Sequence, residues 1–274
     1  MAKTSGSAPT NAPKILFFDV EIAKNLYAKF PPRGPEYDNY TNIIKDWWII
    51  CFAYKWSTED DVTVVSVLDY PELFQEDPSD DSNVVAALHA LISEADVIIG
   101  HRMEAFDWKK FYARVLYHDL PPLNKPKIID THKMAKAVAE FSSGSLDYLT
   151  KYLKLSEKKE NRGNDMWNDL IKAMFAHNLE WMEDVIDEIV DYCVYDVPAC
   201  EDLYYKLLPH ASNVFRVNMN LYSDGEHVCP CCSSKKLQKR GFRTTITGKF
   251  QAYQCKDCGA WSQDKTSLVK VGKK

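Results

Sequence analysis

Four groups of residues carry chemistry by type and spacing. Asp19 and Glu21 stand two apart at the end of a compact apolar run, KILFFDV at residues 14–20. Strand side chains alternate faces, so both carboxylates project from one side, where burial brings no gain unless a cation neutralises them. Asp107 closes GHRMEAFD at residues 100–107 and falls in the first turn expected of the next helix, where the helix dipole favours an acid. Tyr192 and Asp196 are spaced i and i+4, so on a helix they share a face. Hard divalent cations such as Mg2+ or Mn2+ take oxygen ligands, which explains carboxylates rather than His or Cys. The fourth group is sulfur. Cys229 with Cys232 and Cys255 with Cys258 make two C-x-x-C pairs separated by 22 residues, the spacing of a zinc ribbon. Four thiolates close a structural Zn2+ site with no open position. Cys231 and His227 lie beside the pairs, but only Cys229 with Cys232 leaves the two-residue gap.

Each acid taken alone also has a plainer reading. The D-x-E can mark a strand end that reaches solvent, and Asp107 can serve only its helix start. Pro198 removes a donor to the carbonyl of Val194, so it should bend or restart the helix just past Asp196, or simply open a new one.

The elements that must position these groups are set by hydrophobic period. Residues 14–20 suit a strand buried on both faces, and strands are expected at 48–56 (WIICFAYKW) and 62–68 (VTVVSVL). A helical period then leads to a strand at 96–100, a helix over 105–117 and a short strand at 127–130. Helical spacing recurs through 146–155, 166–175 and 181–208. A β-rich start, βα alternation and a helical finish imply an α/β sheet covered by helices. Asp130 reads as a helix cap with Thr131, and most of Trp47, Trp48, Tyr54 and Trp56 should be core. The expected division is a leader at 1–13, a main domain at 14–208, a linker at 209–224 and the cysteine module at 225–274.

Of 274 residues, 46% are hydrophobic and 27% charged, an ordinary globular composition. No apolar run has signal-peptide or membrane-spanning length, which points to the cytoplasm and no membrane. The net charge of −5 is uneven: residues 223–274 hold 11 Lys and Arg against 4 Asp and Glu, or +7, leaving −12 for the remainder. A basic tail on an acidic body suits a polyanionic partner. Lys235, Lys236, Lys239, Arg240, Arg243 and Lys249 mix there with Phe242, Phe250, Tyr253 and Trp261. The lysine-rich stretch 151–162 reads as a solvated loop or a backbone contact.

FDVE, GHRMEAFD and YCVYD, in this order, resemble the three motifs of the DEDD superfamily of 3′–5′ exonucleases. That family is the DnaQ-like branch of the RNase H-like fold, and the Y-x-x-x-D form marks its tyrosine (DEDDy) subgroup. The resemblance covers roughly residues 14–208 and implies an RNase H-like mixed sheet flanked by helices. It implies two Mg2+ or Mn2+ ions, with Asp19 bridging both, Glu21, Asp107 and Asp196 completing the shells, and Tyr192 orienting the attacking water. The activity implied is release of nucleoside 5′-monophosphates from single-stranded 3′ ends, with DNA favoured over RNA. Substrate contacts are expected from His101, Arg102 and Phe106, and in the tail from Arg243 and Lys249. Arg102 departs from the pattern, because the family usually has Asn there. A helix like that expected at 145–155 borders the cleft in such enzymes. Two other readings stand beside this one: a non-catalytic adaptor that recruits a replication or repair protein through the ribbon, and a structure-specific endonuclease.

Overall fold

The computed structural model describes residues 12–28, 40–155, 162–223 and 225–270. Residues 1–11 of the expected leader and 156–161 of the lysine-rich stretch lie outside the described residues. The elements begin with β1 (Ile15–Ile22), β2 (Leu26–Tyr27), β3 (Ile43–Lys45), β4 (Ile49–Trp56) and β5 (Thr63–Ser66). Next come α1 (Pro71–Glu76), α2 (Ser82–Glu94), β6 (Val97–Gly100), α3 (Asp107–Tyr117) and β7 (Lys127–Asp130). Four helices follow: α4 (Thr131–Val138), α5 (Leu146–Tyr152), α6 (Asn164–Phe175) and α7 (Leu179–Leu207). The tail contributes β8 (Leu237–Thr245), β9 (Gly248–Cys255), β10 (Trp261–Gln263) and β11 (Val269–Lys270).

β1 occupies the middle of a five-stranded sheet of order β5-β4-β1-β6-β7. It runs antiparallel to β4 and parallel to β6, and β6 is parallel to β7. A strand paired on both edges and covered on both faces needs an unbroken apolar run. Leu16, Phe17, Phe18 and Val20 meet that need and are buried. α7 packs across β1 and β4, while α2 packs on β4 and against α3. The mixed sheet flanked by helices is the RNase H-like architecture expected from the sequence. Because β1, β6 and β7 are parallel, their carboxyl ends meet at one edge of the sheet, where sites form in open α/β sheets.

The contact between α2 and α3 is held by charge. Asp81 is fully buried and accepts from Arg114 Nε at 2.8 Å and Nη2 at 2.6 Å, and from the Ile49 amide at 2.8 Å. A carboxylate can be buried here because its lone pairs are taken up by a bidentate guanidinium and a backbone donor.

α7 passes through Pro198 as one helix of 29 residues, so the helix neither restarts nor begins anew there. A proline inside a helix costs about 3 kcal/mol or more. The turn around it is buried at Cys193, Asp196, Val197, Ala199, Cys200 and Glu201, and this packing on the sheet outweighs the local rule.

Residues 209–223 contain two short 3-10 turns, Asn213–Phe215 and Met219–Tyr222. Arg216 between them is 7% exposed. Its guanidinium donates to the carbonyls of Leu208 and Pro209 at the end of α7, and to that of Trp261 on β10. Carbonyls left without partners at a helix end are thereby satisfied by a side chain. The tail strands form a second sheet with its own small core of Cys229, Cys255 and Ala260. Among the described residues no helix is long and apolar enough to cross a membrane.

Candidate active site

The end of β1 presents Asp19 and Glu21 to the same edge, and α7 lays Asp196 over them. One carboxylate oxygen from each of these three residues lies within 4.8 Å of the other two. Asp196 is only 7% exposed while Asp19 and Glu21 are half-buried, so three negative groups crowd a partly shielded site. The donor set is all hard oxygen, which fits Mg2+ or Mn2+ and not a thiophilic metal. α7 is also tied to β1 by the Cys193 thiol, which donates to the Asp19 carbonyl at 3.5 Å.

Asp107 stands apart from that trio. It opens α3, is 2% exposed, and its Oδ1 accepts from the Val20 amide at 3.2 Å, so it lies beside β1. Burial pushes its carboxyl up to about 7, and the charges of Asp130 and Asp196 add to the rise. The sequence groups Asp107 with the other three acids; the structure places it beside them, within reach of their charge, and engaged with backbone.

The loop that delivers Asp107 is held by Asp130. This carboxylate caps α4 through the amides of His132 and Lys133, as the sequence indicates, and also accepts from the amides of Arg102 and Glu104. Arg102 takes a left-handed backbone with φ 64°, a conformation that costs a non-glycine residue energy and needs such support. Gly100 leads into the turn because a Cβ there would meet Met103 Cε at 2.3 Å and the Phe18 carbonyl at 3.0 Å.

A cleft of about 330 Å³ opens over Asp19 and Asp196. Asp19, Tyr192 and Asp196 line it together with His101, Arg102 and the start of α5 at Ser145, Leu146 and Asp147. Tyr192 packs edge-on against Trp167, with ring centroids 5.9 Å apart. Burial raises its phenol above the ordinary range, and so do the charges of Asp196, Glu21 and Asp19, so the hydroxyl keeps its proton. His101 Nε2 faces the Gly144 carbonyl at 2.8 Å and Nδ1 faces Thr131 Oγ1 at 2.9 Å. Burial lowers it to about 4, so the ring is neutral at pH 7, with its proton on Nε2. Both nitrogens thus serve the protein, anchoring the segment before α5, and leave none for the substrate contact the sequence suggests.

Beyond Glu21 a second cavity of about 550 Å³ is lined by Trp47, Phe106, Trp167, Lys24 and Lys110. Sequence reasoning singles out Phe106 but misses Trp167 and Lys110. Their signal is only helical spacing, which core packing explains equally well.

In the tail, the sulfurs of Cys229, Cys232, Cys255 and Cys258 all lie within 4.8 Å of one another. Two of the separations are 3.6 Å (Cys229 to Cys258) and 3.7 Å (Cys232 to Cys255). A tetrahedron with metal–sulfur bonds of about 2.3 Å has edges of about 3.8 Å, so the cage has the size zinc requires. His227 instead meets the Tyr253 ring edge-on at 4.8 Å, and Cys231 Sγ approaches the Leu208 carbonyl at 4.0 Å. Arg243 and Lys249 are exposed on the β8–β9 hairpin and do not line the cleft.

The model of the family RNase_H_2, described as RNase_H superfamily, matches residues 49–208. No curated protein matches the sequence. Among solved structures, the family B DNA polymerase of the hyperthermophilic archaeon Pyrobaculum calidifontis is similar, with a TM-score of 0.48 and 14% identity. That match covers 86% of this chain, which spans 31% of the polymerase chain.

Proposed function

Starting from the fact that this chain belongs to the RNase H superfamily, we propose that it is a metal-dependent 3′–5′ exonuclease of the DEDDy type. It releases nucleoside 5′-monophosphates from single-stranded nucleic acid, DNA in preference to RNA. The observation that carries this reading is the meeting of Asp19, Glu21 and Asp196 within 4.8 Å, although two come from the N-terminal strand and one from the last long helix.

Asp19, Glu21 and Asp196 would hold the cations directly, with Asp107 supporting the site from beside β1. When bound, a pair of divalent cations activates a water and stabilises the leaving 3′ oxygen. The protonated hydroxyl of Tyr192, in the same cleft, orients the attacking water by hydrogen bonding. Arg102, a cation lining the cleft, meets the phosphate. The four tail cysteines hold one structural Zn2+ in a ribbon, joined through 209–224 to a catalytic domain at 14–208. Separate hydrophobic clusters in the body and around the tail cysteines support a distinct tail module, although Ala211 and Val217 of the 209–224 segment pack with the body.

The test is purified protein with Mg2+ on 5′-labelled single-stranded DNA, single-stranded RNA and recessed duplexes, beside Asp19→Ala. The expected product is a ladder shortening from the 3′ end, reduced below a hundredth in the variant. Cleavage of a circular single strand as the main reaction would instead identify an endonuclease.

A further inference from the structure

The tail hairpin contains a register shift that the sequence does not reveal. β8 pairs with β9 as Lys239 to Tyr253, but then as Phe242 to Gln251, so two residues of β8, Arg240 and Gly241, face the single Ala252. One extra residue on one strand is a β-bulge, and it moves every later side chain to the opposite face. Gly241 has φ 66°, a left-handed conformation that glycine adopts freely, and Gln251 Nε2 donates to its carbonyl at 2.8 Å.

Without the bulge, Phe242 would lie opposite Phe250, on the other face from Lys239. With it, Phe242 joins Lys239, Tyr253 and Lys249 on one face, and the Lys249 ammonium lies 4.3 Å from the Phe242 ring centroid. Phe242 is 54% exposed, and Lys239 and Lys249 are also exposed. A ring open to solvent, with one ammonium group over it and a second lysine on the same face, is poor packing for a protein core. It matches a single strand, whose bases present stacking faces and whose phosphates present charge.

From this geometry we infer that the bulged face of the β8–β9 hairpin is a binding platform for single-stranded nucleic acid, separate from the cleft. Phe242 stacks on a base while Lys239 and Lys249 contact flanking phosphates. The occupant is argued from charge, since the tail carries +7 on a body of −12. The inference deepens the proposed function by giving long substrates a second point of attachment, and it rests on that reading only in taking nucleic acid as the ligand.

The test uses the full chain with its zinc. In an Asp19→Ala background, anisotropy of a labelled strand of about 30 nucleotides should show Phe242→Ala weakening binding by roughly tenfold, with Phe242→Trp restoring it. Replacing both lysines with Ala should flatten the slope of log K against log salt by roughly 1.4, about 0.7 for each phosphate no longer neutralised. With Asp19 intact, Phe242→Ala should raise KM on the long strand and leave trinucleotide hydrolysis unchanged. Metal analysis showing one zinc per chain in each variant excludes unfolding as the cause. Unchanged affinity in Phe242→Ala and in the lysine variant overturns the inference, and would leave this face to a protein partner. If wild type binds the long strand with the expected sensitivities but hydrolyses nothing, the exonuclease reading fails and the platform stands.

Discussion

Replacing Asp107 with Asn should make the protein more stable and less active at the same time. The carboxyl is 2% exposed and pushed up from its ordinary 3.8 to about 7, chiefly by burial. Well below pH 4 it is protonated in both folded and unfolded chains and contributes no difference. As pH rises from about 4 to about 7, the unfolded chain loses this proton first, so stability declines across that window and stays lower above it. Each tenfold change in proton affinity is worth about 1.4 kcal/mol, so the loss above pH 7 approaches roughly 4 kcal/mol without divalent metal. An amide in place of this carboxyl would carry no charge, and its oxygen can still accept from the Val20 amide, 3.2 Å from Asp107 Oδ1. In magnesium-free buffer, Asp107→Asn should therefore match wild type near pH 4 and exceed it at pH 8. For a domain of this size 1 kcal/mol moves Tm by about 2–4 °C, so a gain of roughly 8–16 °C is the ceiling. Thermal melts across pH 4–8 measure this, and adding Mg2+ should raise wild type more than the variant. A variant Tm at or below wild type at pH 8 would refute the reasoning.

Three further outcomes are expected. Tyr192→Phe should slow hydrolysis roughly ten- to a hundred-fold, in the range of a missing positioning or proton-transfer group, while calorimetry shows divalent binding unchanged. Asp130→Ala leaves the amides of Arg102, Glu104, His132 and Lys133 without their acceptor, which should cost about 2 kcal/mol in a denaturant melt and lower kcat as the motif loop loosens. Cys255→Ser should abolish zinc binding and expose the amides of β8 and β9 to hydrogen exchange, with those of β1 and β4 still protected.

Features set by period and spacing are legible in the sequence. The two-residue interval of Asp19 and Glu21, the four-residue interval of Tyr192 and Asp196, and the two C-x-x-C pairs each define a face or a cage before any fold is known. Tertiary balance is less accessible. Pro198 signals a helix break, but the helix continues because the turn around it is buried at almost every position. Asp130 reads as the cap of one helix, yet two of its hydrogen bonds hold a loop 28 and 26 residues upstream, at Arg102 and Glu104. His101 follows a strand and looks available to a ligand, until Thr131 and Gly144 are brought to its two nitrogens. The bulge at Arg240 and Gly241 depends on pairing with β9, so no alternation count along β8 alone reveals which residues share its face.

Arg216 makes shortening this protein a less innocent operation than the separate sheets of body and tail suggest. A recombinant version cut just after residue 223 would keep that guanidinium and its bonds to Leu208 and Pro209, but not the one to Trp261. A buried cation would be opened to water on the flank where the helix bearing Asp196 and Tyr192 ends. Any weakening of catalysis in a tailless enzyme should thus be weighed against frayed scaffolding before it is credited to a weaker grip on the strand.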